Sequence, residues 1–344
     1  MSTPTPNLPL VALLLGDRNG IGPEISARLL AEATLCDTAV PVVIGDPAVL
    51  AQGQQVAGFD LELPLATAPD DIAGLAAGGR PLLLPRPAAG VETTPGRATA
   101  EAGREVLDTL AFAAGLAADA VIDGVVFAPL NKHAMHLGGI GHEDEMQYLK
   151  TVLGCTNEVG ELNELDGLWT TRVTSHVPLK DVAGLIDRDG ILRAARLAHR
   201  TLVDSGVTAP RLGICALNPH AGDGGNFGRE EIDVIAPAVA AARGEGLDVE
   251  GPLPCDTVFV RARDGGFDAV VTMYHDQGQI AMKLMGFGRG VTVLGGLPFP
   301  VATCGHGTAY DIVGQGNAGH TALANAWRIC AGMAAARQRA RRAA

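Results

Sequence analysis

Short apolar runs that stop abruptly at polar residues recur along this chain, and helical patterns follow most of them. Residues 10–15 form one such run, which ends in Gly16-Asp17-Arg18-Asn19-Gly20-Ile21-Gly22-Pro23-Glu24 before a helical pattern to about Ala33. Residues 40–45 predict a second buried strand, with a helix starting near Pro47. Residues 51–97 are rich in Gly, Pro and Asp, with short strands expected near 61–65 and 81–84. Residues 99–123 predict a long Ala-rich helix, and 124–130 a strand leading into Asn131-Lys132-His133. Further strands are expected at 169–177, 211–217 and 267–274, and helices at 189–203, 230–243 and 320–341. Residues 251–259 read as a turn that exposes Asp256, and the acidic run beside His142 reads as a solvated face. This βαβ rhythm favours a parallel sheet covered by helices. Polar residues that cut off an apolar run then sit at the C-terminal mouth of a strand, where open α/β sheets bind ligands.

The stretch 273–316 is the densest in such features. His275-Asp276-Gln277-Gly278 follows an apolar run, and glycine recurs at 286, 288, 290, 295 and 296. Glycine lets the backbone turn sharply or approach a ligand. His306-Gly307-Thr308 is expected to open a helix. The earlier turn, residues 16–24, admits two readings: a strand-to-helix anion site or a tight βα turn. It is not GxGxxG, so it carries no Rossmann fingerprint.

With 344 residues, the chain is long enough for two α/β lobes. Hydrophobic residues make up 47% and aromatics 4%, so Ala, Val, Leu and Ile must build the core. A net charge of -12 argues against nucleic acid or an anionic membrane as partner. The basic run 337–342 reads as a solvated helix end. The cysteines at 36, 155, 215, 255, 304 and 330 form no CxxC pair, so reduced thiols in a cytoplasmic protein are expected. The N-terminal apolar run is too short to span a bilayer and lacks a basic flank.

His176, His220 and His275 occupy equivalent places, each after a β-rich run and at the opening of a loop. Neutral imidazoles are common ligands of zinc and related ions, and three with an open position make a catalytic site. Hydrogen-bonded structural histidines are the other reading, since the spacing is long.

The segments GDRNGIGPEI (16–25), NK (131–132), GH (141–142), SHVPL (175–179), LNPHAGDGGNFGREE (217–231), GPLPCDTVF (251–259), YHDQG (274–278), GFGRGV (286–291) and HGTAYDIVGQGNA (306–318) resemble the 4-hydroxythreonine-4-phosphate dehydrogenase, or PdxA, family in content and order. The resemblance implies an α/β fold of two α/β/α lobes around a cleft, like isocitrate and isopropylmalate dehydrogenases. One lobe is expected to hold 1–135 plus 305–344, and the other 136–304. It further implies a homodimer whose active sites are shared between chains, with a small-molecule substrate. His176, His220 and His275 would bind a divalent metal, with zinc expected and cobalt, nickel or manganese admissible. Lys283 would contact substrate and act with Asp256 in catalysis. NAD, or NADP, would be contacted by Gly286, Gly288, Arg289 and Gly290 and by His306, Gly307 and Thr308. The positions matching the family's remaining substrate contacts are His142, Glu143, Thr292 and Val301.

Three of those positions depart from the family's phosphate-using members. Glu143 stands where Thr follows His, Thr292 where Asn follows GFGRGV, and Val301 where an Arg is usual. Added negative charge and lost donors oppose a phosphate. The terephthalate cis-dihydrodiol dehydrogenase branch resembles this pattern better. The expectation is a metal- and NAD-dependent dehydrogenase, decarboxylating, acting on an unphosphorylated hydroxy acid or cis-dihydrodiol carboxylate. Its alternatives are a 4-hydroxythreonine-4-phosphate or phospho-threonate 3-dehydrogenase, and a non-catalytic metal- or ligand-binding relative.

Overall fold

Strand β1 (Leu10–Leu14) is apolar throughout because helices cover both faces of its sheet. The computed structural model describes residues 8–286 and 288–343. Phe287, inside the glycine-rich stretch, and the first seven residues, which begin the N-terminal stretch, lie outside the described residues. The chain divides into a first unit, Met1–Thr156 with Leu297–Ala344, and a second, Asn157–Gly296. The sequence reading drew these cuts at 135/136 and 304/305.

In the first unit β1 lies between β2 (Val40–Gly45) and β4 (Gly124–Phe127). β3 (Leu82–Pro85) pairs with β2, and β11 (Val301–Cys304) pairs with β4; every one of these pairings is parallel. Each strand-to-helix exit follows local chemistry. Pro23 and Glu24 suit the first turn of helix Gly22–Leu30. Thr99 caps helix Ala100–Ala118 by accepting from the Ala102 N–H.

The second unit has the strand order β10 (Val291–Gly295), β5 (Gly160–Leu165), β6 (Leu168–Arg172), β9 (Ala269–Thr272), β7 (Arg211–Cys215) and β8 (Asp248–Leu253). β6, β9, β7 and β8 are parallel, but β5 runs antiparallel to both β6 and β10. The expected all-parallel sheet therefore holds only in part. β5 and β6 are joined by Asp166-Gly167, both at positive φ (51° and 92°), the two-residue turn that suits a twisted hairpin.

Several local expectations are corrected. Residues 251–259 are not a turn: they form the end of β8 and the start of helix Cys255–Arg263. No helix opens at His306; the last helix is Thr321–Ala343. Around 61–65 there is an isolated bridge from Leu65 to Leu83 rather than a strand. The acidic run is not a solvated face throughout, because Asp144 is buried and caps helix Glu145–Val152. All six cysteines are free, and burial pushes the Cys304 and Cys330 thiols up to about 12.

The turn after β1 is a buried polar hub. The N–H groups of Asp17, Asn19, Gly20 and Ile21 all find partners within the chain, which supports the tight-turn reading over the anion site. Gly16 has φ +73°, and a Cβ there would lie 2.6 Å from the Pro129 carbonyl oxygen. Arg18, with its side chain 3% exposed, donates to both oxygens of Glu105 at 2.6 and 2.9 Å and to Asp46 at 2.9 Å. Asn19 donates to the Arg97 carbonyl and accepts from the Thr94 N–H. The Tyr310 hydroxyl donates to Asp17. Burial raises the Asp17 carboxyl, and it raises the Tyr310 phenol, which the neighbouring carboxylate pushes up further.

Removing one partner of a buried ion pair strands the other charge. Arg18→Ala should therefore lower the unfolding free energy by about 3 kcal/mol or more. Urea denaturation of purified protein checks this, and a loss under about 1 kcal/mol, the range of exposed pairs, would refute it.

Candidate active site

The register of β6 against β9 determines where two of the three strand-end histidines fall. Trp169 pairs with Ala269 and Arg172 with Thr272, so each β6 residue lies beside the one numbered 100 higher. Carried past the strands, that register puts position 176 level with 276. The rings of His176 and His275 accordingly lie 5.7 Å apart, centroid to centroid. β9 also pairs with β7, and His220 follows β7. The three histidines thus leave the C-terminal ends of three adjacent parallel strands. Asp256, in the first turn of helix Cys255–Arg263, follows β8, the next strand out.

Side chains that the sequence reading did not single out tie these ends together. Thr174 Oγ1 donates to the Met273 carbonyl at 2.8 Å, continuing the β6–β9 pairing toward the two histidines. Gln277 Oε1 accepts from the Met273 N–H at 2.7 Å, and its Nε2 donates to the Ala216 carbonyl at 2.9 Å, linking β9 to β7. Cys255 Sγ also donates to Ala216, at 2.8 Å. Arg172 donates to Ser175 Oγ, immediately before His176, and pairs with Glu161. The bonds from Thr174, Gln277 Nε2 and Cys255 depend on which strands are neighbours, so no local pattern announces them.

The histidine chemistry fits a divalent ion. His275 Nδ1 stands 2.7 Å from Asp276 Oδ1, so with its proton on Nδ1 the imidazole keeps the Nε2 lone pair for a ligand. His176 and His220 are exposed, and the His220 ring lies 6.4 Å from that of Phe227. Among the described residues no three His, Cys, Asp or Glu side chains group closely enough within one chain to hold an ion.

The other expected residues are distributed unevenly. Lys283 is exposed on helix His275–Gly286, between exposed Ile280 and Leu284. Gly286 ends that helix, and a Cβ at Gly288 would meet nothing within 4 Å, leaving backbone open to approach. Arg289, just before Gly290, pairs with Asp166 at 3.0 Å. Thr292 lies inside β10 opposite Asn163 and accepts from its amide at 3.1 Å.

In the first unit, His142 packs 6.2 Å from the Tyr148 ring, and Glu143 is exposed beside it. His306 and Gly307 face outward in part, and Gly307 has open space where a Cβ would stand. Thr308 is buried; its carbonyl accepts from Ile21 and its hydroxyl from Asn131, so it braces the turn after β1. Val301 is 1% exposed within β11 and paired with Val125. As a core side chain it offers a substrate no contact, which corrects its placement in the substrate set.

The PdxA family pattern, described as "Pyridoxal phosphate biosynthetic protein PdxA", matches residues 37–330. A Pseudomonas aeruginosa protein provisionally named 4-hydroxythreonine-4-phosphate dehydrogenase 2 is 47% identical, covering 95% of this chain and 98% of its own. A crystal structure of 4-hydroxythreonine-4-phosphate dehydrogenase from Klebsiella pneumoniae superposes with a TM-score of 0.83 at 33% identity, covering 95% of this chain and 98% of that one. A terephthalate 1,2-cis-dihydrodiol dehydrogenase from Burkholderia xenovorans gives 0.66 at 28% identity, with 94% and 98% covered. With the family pattern spanning most of its length and a relative of this identity over nearly all of it, the chain belongs to the PdxA family.

Proposed function

We propose that this chain, an oxidoreductase of the PdxA family, is a metal- and NAD-dependent dehydrogenase. Its substrate is the secondary hydroxyl of a 4-phosphorylated hydroxythreonine or threonate, and its working form is a homodimer. The observation that carries the reading is the placement of His176, His275 and His220 at the ends of three adjacent parallel strands. The relatives' names supply the substrate class, since 4-hydroxythreonine-4-phosphate dehydrogenases match more strongly than the dihydrodiol dehydrogenase does.

The comparisons therefore favour the phosphorylated alternative over the unphosphorylated substrate expected from charge. That expectation counted Val301 as a lost phosphate contact, yet Val301 belongs to the core and says nothing about the charge of a pocket. Glu143 and Thr292 remain as departures, and Thr292 is already bonded to Asn163.

A divalent ion held by these imidazoles would lower the pKa of a bound hydroxyl, easing loss of its proton before hydride leaves for the nicotinamide. The chain's own part is to orient and to move charge. Asp276 fixes the His275 ring and its tautomer. Lys283, exposed on the same helix, supplies either an ammonium that stabilises the developing alkoxide or, as the neutral amine, a lone pair at Nζ that takes the hydroxyl proton. The open backbone at Gly288 suits close approach of a dinucleotide. The homodimer reading draws on Ile280 and Leu284, which are 60% and 84% exposed beside Lys283 and suit burial against a second copy. Among the described residues no ligand set closes within one chain, and a partner chain would complete it.

Three measurements test this. His220→Ala should abolish turnover and weaken zinc retention while leaving the circular dichroism spectrum unchanged; full activity in the metal-stripped variant would end the metal reading. Mixing His220→Ala with His275→Ala protein should restore part of the activity, because a mixed dimer can assemble one complete site. No recovery after subunit exchange would count against shared sites. With NAD and one metal, kcat/KM for 4-phosphohydroxythreonine or phospho-threonate should exceed that for terephthalate dihydrodiol by about tenfold or more, at least ~1.4 kcal/mol. The reverse order would return the charge-based substrate.

A further inference from the structure

Glu231 begins the π-helical segment Glu231–Ile235 and is 2% exposed. Its Oε1 accepts from the backbone N–H groups of Leu217 at 2.8 Å and Asn218 at 2.7 Å. Its Oε2 accepts from the Asn218 side-chain amide at 3.0 Å, and that amide also donates to Glu230 at 2.7 Å. One buried carboxylate thus gathers two of the four residues that lead from β7 to His220.

The chain beyond them needs such an anchor. His220, Ala221, Gly222, Asp223 and Gly224 all have positive φ, from 44° to 78°. Side chains at His220, Ala221 and Asp223 make that run costly, and it persists only where the surroundings over-determine it. The carboxylate also touches the run itself: a Cβ at Gly222 would lie 2.6 Å from Glu231 Oε2. Burial works to raise the Glu231 carboxyl, but the donors from Asn218 and Leu217 outweigh it and hold the group below its ordinary value. It is therefore a charged acceptor, the stronger kind.

We infer that Glu231 is a positioning residue for His220, holding residues 217–222 so that the imidazole stands ready at the end of β7 as a metal ligand. The inference rests on the proposed role of His220 and adds a residue that touches neither metal nor substrate. Gln at this position presents an amide N–H to donors that need an acceptor, so one end of the clamp opens.

The test uses the full-length protein in its native assembly. Zinc affinity is measured by competition with a chromophoric chelator, and ligand geometry by the visible spectrum of the cobalt-loaded protein. Glu231→Gln should bind zinc about tenfold more weakly or worse, as supporting-residue changes do. Its cobalt bands should shift, while the metal-free protein still unfolds cooperatively. Glu231→Asp, which keeps the carboxylate, should recover part of the affinity; a packing role alone would give no such rescue. If Glu231→Gln does not fold, Gly222→Ala presses on the same carboxylate from the other side and should produce the same loss. Wild-type affinity and an unshifted cobalt spectrum in a folded Glu231→Gln protein, or in Gly222→Ala where that variant replaces it, would overturn the inference alone. Wild-type protein that binds neither zinc nor cobalt would overturn the metal reading and this inference with it.

Discussion

The parallel pairing of β6 with β9, and of β9 with β7, is the constraint on which the candidate site depends. Each strand exit carries one histidine, His176 in a loop, His220 in a 3-10 turn and His275 at the start of a helix, so strand register becomes side-chain geometry. A slip of one residue would move His176 by about 3.3 Å relative to His275. It would also turn the β6 side chains to the opposite face. Val270 and Val271 in β9 are both fully buried, and that packing on both faces makes a slip expensive. The hydrophobic core of the second unit thus sets the spacing of polar groups at its mouth.

The two units use strand ends in opposite ways. In the first unit the turn after β1 closes on itself: Arg18, Asp17 and Asn19 are buried, and their partners come from distant parts of the same unit. In the second unit the strand ends stay open, with His176, His220 and Asp256 exposed while Thr174 and Glu231 behind them are buried. A conspicuous motif is therefore a poor guide to chemistry unless the fate of its donors is known. GDRNGIGPE looks suited to an anion, yet Arg18 and Asp17 are spent on binding it to Asp46, Glu105 and Tyr310. The charge argument about substrate loses one of its three positions for the same reason, since Val301 lies in the core rather than at a pocket.

Much of the fold was legible because local rules govern it. Apolar runs ending in polar loops marked β1, β2, β4, β6, β7 and β9, and the Ala-rich stretch marked helix Ala100–Ala118. The strands that went unread have mixed burial or lie among glycines. β5 and β8 carry exposed and half-buried positions, and β10 and β11 sit in the glycine-rich stretch 273–316. A signal for β5 was present in Leu165-Asp166-Gly167-Leu168, the dipeptide of a two-residue hairpin turn.

Sequence alone nominated the members of the candidate site: three histidines at strand exits, a lysine on the helix that follows one of them, and the order of motifs along the chain. It could do so because a strand exit is a local event, written in where apolar residues stop. Only the tertiary structure decided which exits are neighbours, which expected residue is core, and which side chains hold the loops in place. Thr174, Gln277 and Glu231 act on partners that are distant in sequence or reached only once β6, β9 and β7 lie side by side. A hydrogen bond across neighbouring strands has no periodicity to read, since its partner is chosen by packing rather than by spacing along the chain.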